Sequence, residues 1–401
     1  MTSRERVWAA LAHKEPDKIP LDLGGSMATS INAIAYQRLK KYLGFADSRS
    51  RVTQIILFLS EVEEEIRRKW GIDVISLDRY EAAPGIPLTG EWIEHLLPNG
   101  DPAFFPKGFS PVINSQGNWE LYHQGIKTSV LSPQTSVFVP AYFPLENADL
   151  RQLKEFEPAA ISDAELEFLH RRAKDLYENT EYAVFGFFYG SIFEAAQFLC
   201  GYENFMYRLA AEKDFARLLL EKLTDRVIAD LTLYLDAVGD CIDIIGFADD
   251  VGIQTGPQIS PALFRELIKP CLAKIFKTSH RLSQAYVFFH SCGSVYEFMN
   301  DFIEIGVDVL NPVQTSAFMM EPERLKKEFG NRLSFWGGGC DVQNILPFGT
   351  PADIRKDVRR RLEIFSQGGG YVFAPIHDIQ PDVPPANIEA MFEEAKNFSY
   401  R

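Results

Sequence analysis

The chain has 401 residues and a formal net charge of −14. A surface this acidic argues against nucleic acid and anionic membranes as partners, because both would repel it. With 46 % hydrophobic and 24 % charged residues the composition is that of an ordinary globular protein, which excludes a disordered chain.

The N-terminal residues and the cysteines both predict a cytoplasmic protein. Residues 1–6 lead into an amphipathic stretch rather than the apolar core of a signal peptide. No run approaches the roughly 18 apolar residues that a membrane helix needs. An odd number of scattered cysteines does not form a disulfide framework, so we expect reduced thiols at Cys200, Cys241, Cys271, Cys292 and Cys340.

Eight short β-rich runs, most of them followed by helical periodicity, organise the chain. In order they are residues 19–23, 73–77, 183–188, 242–247, 285–290, 307–310, 333–336 and 371–374. Such an alternation forms either an open doubly wound sheet or a closed barrel, and the count of eight favours the barrel. The sequence therefore predicts an α/β protein with one (β/α)8 TIM barrel domain over residues 1–401, preceded by an N-terminal helical extension.

Capping signals mark the starts of several helices. A hydroxyl residue followed by a proline or by a glutamate three positions later predicts a helix start at Ser162, Ser260, Ser294 and Thr350. Residues 214–238 carry an apolar side chain every fourth position, which predicts a helix with one buried face.

Residues 80–146 interrupt the alternation of strands and helices. The segment is rich in proline, glycine and aromatic residues, and residues 114–117 predict a hairpin turn. We interpret it as a β-rich insertion after the second strand. Insertions at this position lie on the catalytic face of a barrel, so the segment is expected to form a lid or a docking wall.

Polar residues that directly follow the predicted strands are the candidate site residues, because barrel active sites lie at the carboxyl ends of the strands. Asp78, Asp249, Asp250 and His377 are expected to act in catalysis, and Tyr189, Asn311 and Gln314 in cofactor binding. The remaining positions of the same kind are Asp22, Arg79, His290, Cys292, Cys340, Asp341 and Asp378.

His290 and Cys292 form the centre of the predicted site. Two residues apart on an extended strand, their side chains project to the same side. A helix starting at Ser294 would lower the pKa of the Cys292 thiol through its dipole. Nitrogen and sulfur ligands select zinc, and the shell is completed by Cys340, by His377 or by a carboxylate of Asp249 or Asp250.

The chain resembles the uroporphyrinogen decarboxylase superfamily, which includes cobalamin-dependent methyltransferases. The resemblance runs over nearly the whole chain, through residues 4–20, 186–201, 259–270 and 384–391. It implies the same barrel. In the methyltransferase branch a His-x-Cys motif and a later Cys hold zinc, and His290-Ser291-Cys292 resembles the first part. The later Cys of that branch lies near the last strand, where this chain has His377 and Asp378.

The resemblance leaves three functions open. The first is zinc-assisted methyl transfer between a corrinoid, free methylcobalamin or a corrinoid protein, and a small-molecule donor or acceptor, with a homodimer left open. The second is decarboxylation of a tetrapyrrole, for which Asp78 and His377 match family positions. For that reaction residues 22–30 lack the basic side chains expected, and Gln197 or Phe198 replaces a tyrosine. The third is a non-catalytic corrinoid- or tetrapyrrole-binding protein.

Overall fold

The fold is known from a computed structural model, which describes residues 1–400. Seven parallel strands form one curled sheet in which neighbours in space are also neighbours in the chain. Each strand begins and ends within two residues of its predicted counterpart. They are β1 (Val74–Leu77), β2 (Ala183–Tyr189), β3 (Ile244–Ala248), β4 (Tyr286–His290), β5 (Val309–Asn311), β6 (Ser334–Trp336) and β7 (Tyr371–Val372).

The first predicted strand, residues 19–23, is reduced to a bridge that touches both edges of this sheet. Leu21 pairs in parallel with Phe373 beyond β7, and its carbonyl accepts a hydrogen bond of 2.8 Å from the Asp73 N–H before β1. Pro20 has no N–H to donate, so this segment cannot extend its hydrogen bonding into a full strand. The resulting architecture is consistent with a TIM-like barrel.

Helices cover the outside of the sheet. The predicted helix starts at Ser162, Ser260 and Thr350 are confirmed, since each hydroxyl accepts a hydrogen bond from the first helical turn. The helices are Ser3–Leu11, Ala33–Tyr42, Glu64–Trp70, Leu150–Glu155, Asp163–Asn179, Phe193–Cys200, Tyr202–Ala211, Lys213–Val238, Pro261–Leu263, Lys269–Leu282, Met299–Glu304, Pro322–Phe329, Pro351–Phe365 and Pro385–Lys396. Among the described residues, no helix is both long and apolar enough to span a membrane.

The insertion after β1 is β-rich, as predicted. Its strands pair in small antiparallel sheets, and residues 114–117 form the predicted turn between two of them. A hydrophobic cluster that includes Phe58, Phe105 and Phe138 packs beneath it. The strands are Glu81–Ala83, Ile86–Pro87, Trp92–Leu96, Pro102–Pro106, Val112–Ile113, Trp119–His123, Ile126–Leu131 and Val139–Pro140.

Lys326, on the helix Pro322–Phe329, gives the fold a pH-dependent contribution to stability. Burial lowers the pKa of its ammonium to about 8, and its Nζ donates to the Gly369 carbonyl at 2.7 Å. Because the unfolded chain holds this proton up to a pH of about 10.5, the free energy of unfolding should rise between pH 8 and 10.5. We expect a rise of about 1–3 kcal/mol that Lys326→Met removes. Urea unfolding of both proteins at pH 7.5 and 9.5 measures it, and equal pH slopes would contradict it.

Candidate metal centre

Three side chains from two loops converge at the carboxyl ends of the strands. His290 is the last residue of β4, Cys292 follows two residues later, and His377 lies in the segment after β7. One ligand atom from each lies within 4.8 Å of the others, and the Cys292 Sγ is 3.3 Å from His290 Nε2. Metal–ligand bonds of 2.0–2.3 Å in a tetrahedron place ligand atoms roughly 3.5 Å apart. The group can therefore hold a metal ion without large movement.

In both histidines, the Nδ1 nitrogen is hydrogen bonded to the side-chain oxygen of a neighbouring residue. His290 Nδ1 donates to the Asn311 Oδ1, and the Asn311 amide is itself oriented by donating to the Trp336 carbonyl at 2.9 Å. His377 Nδ1 donates to the Asp378 carboxylate. A donor hydrogen on Nδ1 leaves the lone pair on Nε2, which is the arrangement that metal-ligating histidines use.

Asn311, which the sequence predicts to bind a cofactor, fixes the orientation of the His290 ring. We expect Asn311→Ala to weaken zinc binding by about 10- to 100-fold, because the His290 ring loses its fixed tautomer and orientation. Competition with a chromophoric chelator measures the affinity. Asn179→Ala, at the exposed end of an outer helix, should leave it unchanged, and an equal loss in both variants would contradict this role.

The Cys292 thiol does not have the lowered pKa that the sequence predicts. Burial raises its pKa well above the ordinary value, and the nearby carboxylate of Asp250 raises it further. The expected helix at Ser294 does not start there, since a short turn precedes the helix Met299–Glu304. The prediction was wrong because no helix N-terminus points at the sulfur. A thiol in this setting becomes a thiolate when a cation binds it.

The two adjacent aspartates after β3 contact different parts of the structure. The buried Asp249 carboxylate accepts hydrogen bonds from the Ser191 hydroxyl and from the backbone N–H groups of Ile192, Phe193 and Glu194, at 2.6–3.2 Å. It braces the start of the helix Phe193–Cys200. Asp250 instead faces the group: its Oδ1 accepts from the Cys292 N–H at 2.7 Å and lies 3.8 Å from His290 Nε2. Asp250 is therefore the carboxylate next to the three ligands.

Glu194 is a site residue that the sequence reasoning missed. Its carboxyl lies beside the Asp250 backbone and the Tyr189 hydroxyl, and burial together with the charge of Asp250 raises its pKa to about 9. In the sequence it is an acidic residue in the first turn of a helix, where such residues are common because they favour the helix dipole. Only its position after β2, two residues behind Ile192, distinguishes it from a surface residue.

Two glycines allow the loops around Cys292 to pack closely. A Cβ on Gly252 would lie 2.6 Å from the Cys292 carbonyl oxygen, and a Cβ on Gly293 would meet the Gly252 backbone. Gly293 also has φ +77°, which favours glycine. Its N–H donates to the Gln314 Oε1 at 2.8 Å. Gln314 therefore supports the Cys292 loop, although it was predicted to bind a cofactor.

Cys340, predicted as the third ligand, is not brought into the group; His377 is. Cys340 is fully buried, and burial together with the charge of Asp357 raises the pKa of its thiol well above the ordinary value. Asp357 belongs to the helix Pro351–Phe365, which packs outside the sheet. The backbone at Gly337 and Gly338 has positive φ, so the chain turns before Cys340. The thiol consequently faces the helix layer.

Two other predicted site residues lie at strand ends but are not part of the group. Asp22 is buried and accepts from the Trp336 indole at 2.8 Å and from the Gly25 N–H. Burial raises the pKa of Asp78, and its charged neighbours are Glu61, Arg172 and Arg67 rather than the metal-ligating side chains. Both therefore belong to the structure around β1 and the bridge at Leu21.

Comparisons with known proteins agree on one family. The sequence profile described as Uroporphyrinogen decarboxylase (URO-D) matches residues 126–398. The uroporphyrinogen decarboxylase of Chlorobium phaeobacteroides is 24 % identical over 205 residues, 50 % of this chain and 53 % of that protein. That of Methylococcus capsulatus is 28 % identical over 182 residues, 45 % and 48 % of the two proteins. The chain spans about half the length of the curated relatives it matches.

A solved structure matches along nearly the whole chain. The structure titled "methyltransferase from Methanosarcina mazei" superposes with a TM-score of 0.60, covers 98 % of both chains and is 19 % identical. At this identity the likeness shows a shared fold.

Proposed function

Because the chain belongs to the uroporphyrinogen decarboxylase family, we propose that it is a methyltransferase of the corrinoid-dependent kind. In this proposal it moves a methyl group between a corrinoid and a small molecule, with zinc held by His290, Cys292 and His377. The observation that carries the proposal is the convergence of these three ligand atoms within 4.8 Å. The proposed domain is a closed (β/α)8 barrel, supported by the bridge of Leu21 to both sheet edges.

The ligand chemistry fits zinc. Two imidazoles and one thiol are nitrogen and sulfur donors, and three protein ligands with an open position are the pattern of catalytic zinc sites. When bound, zinc supplies Lewis acidity, which lowers the pKa of a protic group that it binds. Asn311 and Asp378 hold the two imidazoles in the ligating tautomer.

The transfer itself is a displacement at carbon. The methyl–cobalt bond breaks with its electron pair left on cobalt, the lone pair of the acceptor forms the new bond to carbon, and a protic acceptor loses its proton. Asp250 is the carboxylate placed to take that proton, since its Oδ1 lies 3.8 Å from His290 Nε2. Asp249 keeps this loop in place through the helix Phe193–Cys200. The partner is then free methylcobalamin or a corrinoid protein, entering at the carboxyl ends of the strands.

A direct assay tests the proposal. Zinc-loaded protein, methylcobalamin and a low-molecular-weight thiol are mixed without oxygen, and loss of the methyl–cobalt absorbance is followed. We expect turnover that falls at least about 100-fold in Asp250→Asn, since general-base catalysis contributes roughly that factor. Exposed Asp175→Asn on an outer helix serves as control. Tight methylcobalamin binding without any demethylation would favour a binding protein instead.

Decarboxylation of a tetrapyrrole is the second candidate, and the match to the decarboxylase profile over residues 126–398 favours it. The charges of the site speak against it. Asp250 and Asp378 lie beside the group, whereas residues 22–30 contain no lysine or arginine to bind the carboxylates of such a substrate. Consumption of uroporphyrinogen by metal-free protein, with release of carbon dioxide, would establish this function in place of methyl transfer.

A further inference from the structure

The charged groups around the proposed metal ligands are acidic. The Asp250 Oδ1 accepts a hydrogen bond from the Cys292 N–H at 2.7 Å and lies 3.8 Å from His290 Nε2, and the Asp378 carboxylate accepts a hydrogen bond from His377 Nδ1. Within residues 1–400, no lysine or arginine forms an ion pair with either of these two carboxylates. A divalent cation at the group would be outnumbered by the thiolate and the carboxylates, so the surroundings stay negative after a metal binds.

Basic side chains at the ends of the neighbouring strands are already engaged. Arg79, after β1, pairs with the Glu165 carboxylate and donates to the Phe188 carbonyl at 3.2 Å. Arg361 pairs with Asp357 at 2.7 Å and donates to the Gly338 carbonyl after β6. Both arginines already have a carboxylate partner, so neither is left to pair with an anionic substrate.

Tyr189 adds an aromatic wall beside the carboxylates. It ends β2 with φ +75°, the charges of Asp249 and Asp250 act on its hydroxyl, and its ring lies 6.0 Å from the ring of Phe187. Carboxylates beside an aromatic face form the surroundings that bind ammonium groups.

We infer that the small molecule that reacts at this site carries a cationic group, such as an ammonium, close to its reacting atom. The inference rests on the proposed function and narrows its substrate class. Asp250 and Asp378 attract that group, and the same carboxylates disfavour sulfonates, phosphates and carboxylates. A unit charge about 6 Å from one carboxylate, at an effective dielectric constant of about 20, accounts for a preference of at least tenfold.

Three thiols that differ in the charge of the tail test the inference: 2-aminoethanethiol, 2-mercaptoethanol and 2-mercaptoethanesulfonate. Protein reconstituted with Co²⁺ is titrated with each, and the thiolate-to-cobalt absorption band gives the Kd. We expect the cationic thiol to bind at least about tenfold more tightly than the anionic one, with the neutral thiol between them. Raising the salt concentration from 0.05 to 1 M should shrink the ratio.

Comparison of the wild-type protein with Asp250→Asn separates the charge of the site from the intrinsic acidities of the thiols, which are the same in both titrations. The variant should reduce the ratio of the two Kd values at least about threefold. Glu221→Gln, an exposed position in the outer helix Lys213–Val238, should leave the ratio unchanged. Equal Kd values for the cationic and anionic thiols in cobalt-loaded wild-type protein would overturn the inference about the substrate and leave the proposed metal site unaffected. Failure of the wild-type protein to bind Co²⁺ or Zn²⁺ at all would overturn the proposed metal site, and the inference with it.

Discussion

Cys292→Ser is expected to release zinc from the protein. Serine replaces a thiolate with a hydroxyl that remains protonated, so one of three strong ligands is lost while His290 and His377 remain. We expect one zinc per chain in the wild-type protein and an affinity reduced at least about 100-fold in the variant. Atomic absorption after dialysis, and chelator competition, measure the two quantities.

The control for this variant is the cysteine that the sequence favoured as a ligand. Cys340→Ser changes the same atom, but at a buried thiol that faces Asp357. It should keep full zinc content. Loss of zinc in Cys340→Ser with retention in Cys292→Ser would reverse the ligand assignment, and no zinc in any of the proteins would exclude the metal centre.

Arg6→Ala is expected to lower the free energy of unfolding far more than removal of an exposed arginine does. The buried Arg6 guanidinium lies 2.5 Å from the Asp73 carboxylate and also pairs with Asp17 at 2.7 Å. Asp73 accepts from the Leu21 N–H at 3.0 Å, so this ion pair holds the bridge segment against β1. Without the arginine, a buried carboxylate has no counter-ion, which costs about 3–5 kcal/mol of the free energy of unfolding. Urea unfolding measures the change.

Two further variants decide whether the unpaired charge is the cause. Arg49→Ala removes an arginine that is 40 % exposed and paired with Asp47 and Glu94, and should leave the free energy of unfolding almost unchanged. In Arg6→Ala, adding Asp73→Asn should restore at least half of the loss, because the buried negative charge is gone. If the second substitution destabilises the protein further, lost packing rather than the charge explains the effect.

The strands could be predicted from the sequence because each is a short apolar run that is closed by a polar residue, a glycine or a proline. That pattern placed seven strands within two residues and brought His290 and Cys292 to one strand end. It also gave the insertion and its turn. Residues 19–23 were predicted as a full strand because they show the same apolar pattern. Only the bridge at Leu21 forms, since Pro20 cannot donate a hydrogen bond.

The third ligand and the roles of the carboxylates could not be obtained in the same way. Cys340 and His377 both follow strands, and the choice between them depends on the backbone turn at Gly337 and Gly338, a three-dimensional feature. Asp249 and Asp250 are neighbouring residues of the same type. Only the position of the helix Phe193–Cys200 determines that Asp249 accepts hydrogen bonds from the start of that helix and that Asp250 faces the ligands. Glu194 was missed for the same reason.

The ligands belong to two parts of the backbone that are held in place independently. The Asp249 N–H bonds to the His290 carbonyl, and the Ser291 N–H to the Asn311 carbonyl, which fixes the first two ligands to neighbouring strands. The segment with His377 is fixed elsewhere, through Ile379, whose N–H bonds to Ser30 and whose carbonyl accepts from Asn32. Evolution could therefore exchange the third ligand between nitrogen and sulfur, and so tune the acidity of the metal, while the strand that presents the His-x-Cys motif is inherited unchanged.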